Sequence, residues 1–127
     1  MKKGFTILEL AVVIVVFSLA TVLFFFQKAD YDAAKRDEQR KVAINAMFYN
    51  LEEGFYSENN YYPETINEDN LKAMDPQLFT DPFGTNLGDD SANYRYEPVD
   101  CKDQKCASYT LRASMEREDD FIKKSRH

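Results

Sequence analysis

One carboxylate, Glu9, stands at the mouth of an apolar run from Leu10 to Phe26 that is interrupted only by Ser18 and Thr21. An acidic side chain inside such a run costs about 2.5 kcal/mol or more on insertion scales. Glu9 has two readings. It is tolerated beside lipid headgroups, or it meets a cation brought from outside its own helix. In a low-dielectric setting the second arrangement disfavours any register that leaves the charge unmatched, and so sets the stagger between neighbouring chains. A cut after Gly4 would give Phe5 a new α-amino group able to act as that cation.

Cys101 and Cys106 are the only cysteines, and Lys102, Asp103, Gln104 and Lys105 lie between them. A zinc site needs two more ligands, and His127 is the only histidine, so Cys and His cannot complete one within a single chain. A disulfide closing a tight loop is the favoured reading, and it places this part of the chain outside a reducing cytoplasm. Catalysis finds no support. There is no Cys/His or Ser/His/Asp set and no phosphate-cradling glycine loop, and the paired acids sit in polar runs. The formal net charge is −6, with Lys2 and Lys3 both ahead of Gly4, so the remainder of the chain is more acidic still and repels a nucleic-acid backbone.

The 127 residues suffice for one domain of ordinary size. From Phe5 to Phe26 a helix rising ~1.5 Å per residue is roughly 33 Å long, enough to span a bilayer. Lysines ahead of it put the N-terminus in the cytoplasm and the remainder outside. The run ends in Phe24-Phe25-Phe26 rather than in small residues, unlike a secretory signal.

Residues 28–57 contain no proline and a single glycine, Gly54, while Ile44, Met47, Phe48, Leu51 and Phe55 recur at helical spacing. The spacing predicts an amphipathic helix continuing the apolar one, with that stripe packed on a sheet. Asp32 with Arg36 and Asp37 with Lys41 read as helical pairs on a solvated face. Asn59-Asn60 and Pro63 end the rod. A short helix capped by Asn67 is expected over 67–74, stopped by Asp75-Pro76. Asp81-Pro82-Phe83-Gly84 reads as a turn. Alternation at Tyr94, Tyr96 and Pro98, and again at Tyr109, Leu111 and Ala113, predicts a hairpin across the cysteines. A frayed tail is expected after Met115.

Lys3-Gly4-Phe5-Thr6-Ile7-Leu8-Glu9-Leu10 resembles the class III signal of type IV pilins and type II secretion pseudopilins. The resemblance implies an α+β, pilin-like fold: one long N-terminal helix packed on a small antiparallel sheet. It divides the chain into a leader, 1–4, a membrane and assembly half-helix, 5–27, an amphipathic half-helix, 28–57, and a globular head, 58–127. A membrane-embedded prepilin peptidase would cut between Gly4 and Phe5 and N-methylate Phe5. Phe5 and Glu9 would then join copies into a helical homo-oligomer, built by an inner-membrane platform protein and an assembly ATPase. The implied functions are a pilus subunit for adhesion or twitching motility, a secretion pseudopilin, or a minor pilin that captures DNA or a surface ligand. The Asp-Pro-Phe-Gly turn is similar to that of major pseudopilins. By that likeness Asp81, Asn86, Asp89 and Asp90 become calcium candidates, although they lack EF-hand spacing and also suit a plain acidic loop. No other cofactor is implied.

Overall fold

The computed structural model describes residues 4–127; Met1, Lys2 and Lys3, and with them most of the expected leader and its positive charges, lie outside the described residues. The chain divides into two compact units, one ending at Ala34 and the other Lys35–His127.

Helix α1 (Ile7–Tyr49) opens in the first unit. Thr6 starts it: the Glu9 amide donates to Thr6 Oγ1 at 3.2 Å. Thr6-Ile7-Leu8-Glu9 has the spacing of a capping box, which places an acid in the first turn, where the helix dipole is positive. The two polar residues of the apolar run satisfy themselves on their own helix. Ser18 Oγ donates to the Ile14 carbonyl and Thr21 Oγ1 to the Phe17 carbonyl, both at 2.8 Å.

In the second unit α1 buries Ala43, Ile44, Met47 and Phe48. The rod then departs from the unbroken α-helix expected from the sequence. Asn50–Tyr56 forms a π-helical segment, followed by the short α2 (Ser57–Asn59). Gly54, a poor helix former, lies in the widened turn, and the change of pitch carries Leu51 and Glu52 both into the interior. Asn60, in the left-handed conformation with φ 59°, stops the run, and its amide donates to the Tyr56 carbonyl at 2.8 Å.

Four strands make one antiparallel sheet: β1 (Tyr62–Pro63), β2 (Tyr94–Lys102), β3 (Lys105–Ala113) and β4 (Phe121–Lys124). β3 is central. β2 pairs along one edge, while β1, opposite Cys106 and Lys105, and β4, opposite Thr110 to Ala113, share the other. The expected alternation holds, with Tyr94, Tyr109, Leu111 and Ala113 buried in the same core cluster as Ile44, Met47 and Leu51. The architecture is therefore the α+β arrangement expected, a long helix packed on a small antiparallel sheet. Cys101 and Cys106 stand opposite each other in register and form a disulfide. For so short a loop its entropic contribution is about 2 kcal/mol.

Three further expectations need correction. Residues 67–74 do not form a helix. Asn67 Oδ1 accepts from the amides of Asp69 and Asn70, at 3.0 and 3.2 Å, but the turn does not propagate. Asp75-Pro76 starts an element rather than stopping one, because Asp75 caps a 3₁₀ turn, Pro76–Phe79, by accepting from the Gln77 amide. The segment after Met115 is not frayed either: β4 completes the sheet, and Arg126 and His127 dock on the rod.

Candidate functional site

The first unit presents its apolar surface in full. Phe5, Ile7, Leu8 and Leu10 are exposed, as are the larger residues from Val12 to Phe26. This is the one helix long and apolar enough to cross a membrane among the described residues, with a mean hydropathy of 2.7 over its most apolar stretch. Glu9 is exposed one turn into it. Gly4 has open space around its Cα, so nothing in the fold hides the Gly4–Phe5 bond. The segment combines an uncovered hydrocarbon surface, one carboxylate at its start and an accessible peptide bond ahead of that carboxylate. It suits a lipid environment or the flanks of similar helices, and an isolated chain in water cannot cover it.

In the second unit the turn residues serve an ion cluster. Arg40 is buried, its Nε 2.7 Å from Asp81 Oδ1 and its Nη1 2.9 Å from Asp37 Oδ1. Asp81 Oδ2 accepts from the Phe83 amide and from Asn93 Nδ2, both at 3.0 Å. Asp37 also accepts from the amides of Glu116 and Arg117, at 2.9 and 3.0 Å. Glu116 in turn takes a two-pronged bond from Arg36, at 2.7 and 3.0 Å, at the half-exposed rim. Arg36 and Arg40 lie 4.9 and 5.4 Å from the centre of the Phe83 ring, which is 61% exposed.

This arrangement overturns the reading of these charges as a solvated face. Asp37 pairs with Arg40 rather than Lys41, which reaches Glu118 at 2.6 Å. The clue was in the spacing, since Asp37 and Arg40 continue the Ile44, Met47, Leu51 stripe backwards by steps of three and four.

Burial by itself would raise the Asp37 and Asp81 carboxyls. The amides of Glu116 and Arg117 and the Arg40 guanidinium hold Asp37 below the ordinary carboxylate value. Arg40, the Phe83 amide and Asn93 do the same for Asp81. Groups whose folded-state pKa is depressed contribute stability above the unfolded value of about 3.9 and lose it as the pH falls through the folded one. The second unit should therefore hold its melting temperature down to about pH 4 and lose it steeply on further acidification. Near-ultraviolet circular dichroism of the tyrosines across a pH series checks this.

The calcium candidates are not gathered into one cluster. Asp81 is committed to Arg40, Asn86 Oδ1 accepts from Thr80 Oγ1 at 2.7 Å, and Asp89 Oδ2 accepts from the Asn86 amide at 2.9 Å. Asp90 is exposed. Among the described residues no three His, Cys, Asp or Glu side chains come together to hold a metal ion.

A third buried carboxylate, unforeseen in the sequence, is Glu52. Tyr109 OH donates to its Oε1 at 2.7 Å, Tyr62 OH to its Oε2 at 3.0 Å, and the Arg126 amide to Oε1 at 3.2 Å. Burial, then the Glu52 carboxylate, push both phenols above their ordinary range. The His127 ring stacks on Tyr56 at 4.2 Å, and Arg126 pairs with Glu53 at 2.6 Å. These bonds tie the end of the chain to the π-helical turn. The only advance signal was Glu52 standing four residues after Phe48, on the border of the apolar stripe.

Compared with protein-family models, with curated proteins and with solved structures, the chain finds no match.

Proposed function

We propose that this chain is the precursor of a pilin-like structural subunit, stacked through its apolar helix into an extracellular filament of the type IV pilus kind. One observation carries the reading: a fully exposed apolar stretch at the start of α1, Ile7 to Phe26, long enough to span a bilayer, whose single acid, Glu9, stands near its beginning, just beyond an accessible Gly4–Phe5 bond. On this reading a prepilin peptidase removes residues 1–4 and the new amine of Phe5 is methylated. The precursor waits in the cytoplasmic membrane as a single-pass protein with its second unit outside. Assembly then slides each helix beside its neighbours until the Phe5 amine of one copy faces Glu9 of the next. An unpaired charge in that dry seam costs more than the matched pair, so the match selects a single stagger. The platform protein and ATPase of the assembly machine supply the work.

The disulfide supports exposure of the second unit to an oxidising compartment. The role is structural rather than enzymatic, and the excess of acids argues against nucleic acid as a partner. The Asp81-Pro82-Phe83-Gly84 turn, with Gly84 at φ 86°, favours a second reading, a pseudopilin confined to the envelope as part of a secretion machine. Immunogold labelling of intact cells separates the two. Label along surface fibres is expected for a pilus and label held within the envelope for a pseudopilus. Label spread evenly over the membrane, with no filament of either length, contradicts both.

A further inference from the structure

Asn50–Tyr56 is a π-helix of seven residues set between two α-helical stretches, Ile7–Tyr49 and Ser57–Asn59. A π-helical segment is ordinarily a single-turn insertion in an α-helix, and it needs a local cause. Propensity supplies none, because Leu51, Glu52 and Glu53 are all good α-helix formers. In an α-helix Leu51 and Glu52 would point about 100° apart, so burying one turns the other toward the helix flank. Here both are buried, and the Glu52 side chain is 1% exposed.

What holds Glu52 inward comes from outside the rod. The Tyr62 and Tyr109 hydroxyls donate to it from β1 and β3, and the Arg126 amide donates from the tail that follows β4. The two tyrosines are core residues, whereas Arg126 and His127 are exposed. The tail is therefore the releasable part of the cluster. Its other fastenings are few: the Ser125 amide donates to the Tyr109 carbonyl at 3.1 Å, Arg126 pairs with Glu53, and the His127 ring stacks on Tyr56 with its Nε2 4.0 Å from Glu52 Oε2. Glu53 and Tyr56 belong to the same π-helical segment, so the tail touches it at Glu52, Glu53 and Tyr56.

We propose that Ser125–His127 is a latch that sets the helix type at the end of the rod. Docked, it holds Glu52 inward and Asn50–Tyr56 in the π form. Lifted, it takes a donor from a buried carboxylate, whose desolvation then goes uncompensated. Glu52 turns to water at the helix flank, and the segment closes into the α-helix that its sequence favours. Coupling of this kind runs both ways. Whatever lifts the tail resets the pitch of the rod's end, and whatever draws the segment into α-helix frees the tail. The latch lies within the second unit and operates whether or not the chain forms filaments.

The test is NMR on the isotope-labelled full chain in micelles of a zwitterionic detergent, where couplings across hydrogen bonds identify the carbonyl that each amide meets. In the wild type, amides of the segment should bond to carbonyls five residues back; in a chain truncated after Ser125 they should bond four residues back. Arg126→Pro, which removes the amide donor, should behave as the truncation does, and Arg126→Ala, which keeps it, as the wild type. In the reverse direction, Glu52→Ala should speed exchange of the Ser125 and Arg126 amides by about tenfold or more, the effect of losing a hydrogen bond to a charged group. If Glu52→Ala fails to fold, the tail variants, which leave every core residue in place, carry the test. Bonds five residues back in the truncated chain, the same pattern in the proline and alanine variants, or unchanged exchange in Glu52→Ala would overturn the coupling.

Discussion

Replacing Arg40 with methionine is expected to destabilise the second unit by about 3–5 kcal/mol, because it leaves two buried carboxylates, Asp37 and Asp81, without their counter-ion. Methionine fills much of the same volume, so the loss reports the missing charge and its hydrogen bonds more than a cavity. Denaturant unfolding followed by the tyrosine near-ultraviolet signal measures it. The pH dependence supplies an independent check on the cause. In the wild type the depressed Asp37 and Asp81 lose their contribution as the pH falls below about 4. Without Arg40 both carboxylates are buried and unpaired, their pKa rises, and lowering the pH from neutral should restore stability instead. A variant within about 0.5 kcal/mol of wild type, with an unchanged pH profile, would mean that the cluster is solvated in solution. The Arg36–Glu116 bridge, half-exposed at the rim, should contribute no more than about 1 kcal/mol.

Glu9→Val has the second large expected effect, and two accounts of Glu9 differ sharply over it. As the acid of the Thr6 capping box, Glu9 contributes about 0.3–1 kcal/mol through the helix dipole, and its amide bond to Thr6 Oγ1 survives the substitution. On that account alone the variant would reach the membrane and assemble as before. As the acceptor for a neighbour's Phe5 amine it cannot be replaced by an apolar residue. The variant should then accumulate in the membrane, where it inserts more readily than wild type, while filaments recovered by shearing fall at least about tenfold. Glu9→Gln separates charge from shape: it should fail like Glu9→Val if the ion pair sets the stagger, and assemble normally if a hydrogen bond suffices. Filaments at wild-type yield from both variants would remove Glu9 from assembly.

The range of the forces involved decides how much of the fold was legible in the sequence. The membrane-length helix, the apolar stripe from Ile44 to Leu51, the Asp81 turn and the Tyr94–Ala113 hairpin are all set by local periodicity or by single turn residues, and each lies where it was expected. Arg40 and Glu52 were not legible because their partners are distant. Asp81 lies 41 positions from Arg40, and Tyr109 lies 57 from Glu52. Charges on a mixed helix face look solvated until such partners are known. The stretch 67–74 misled in the other direction, since its cap and acids favour a helix locally, yet tertiary packing buries Leu71 and Met74 through two separate turns. The last residues carry no strand length of their own to advertise. They are ordered by the free edge of β3 and by the Glu52 carboxylate.

The claim on which the functional account rests is that Gly4–Phe5 is a processing site and Phe5 the first residue of the working subunit. Intact-mass spectrometry of the chain recovered from its native envelope, with sequencing of the N-terminal peptide, tests it directly. The account predicts a protein that begins at Phe5, lacks residues 1–4 and carries one added methyl group on the amine. Recovery of the chain with Met1 still attached, in cells where it has reached its final location, would contradict it.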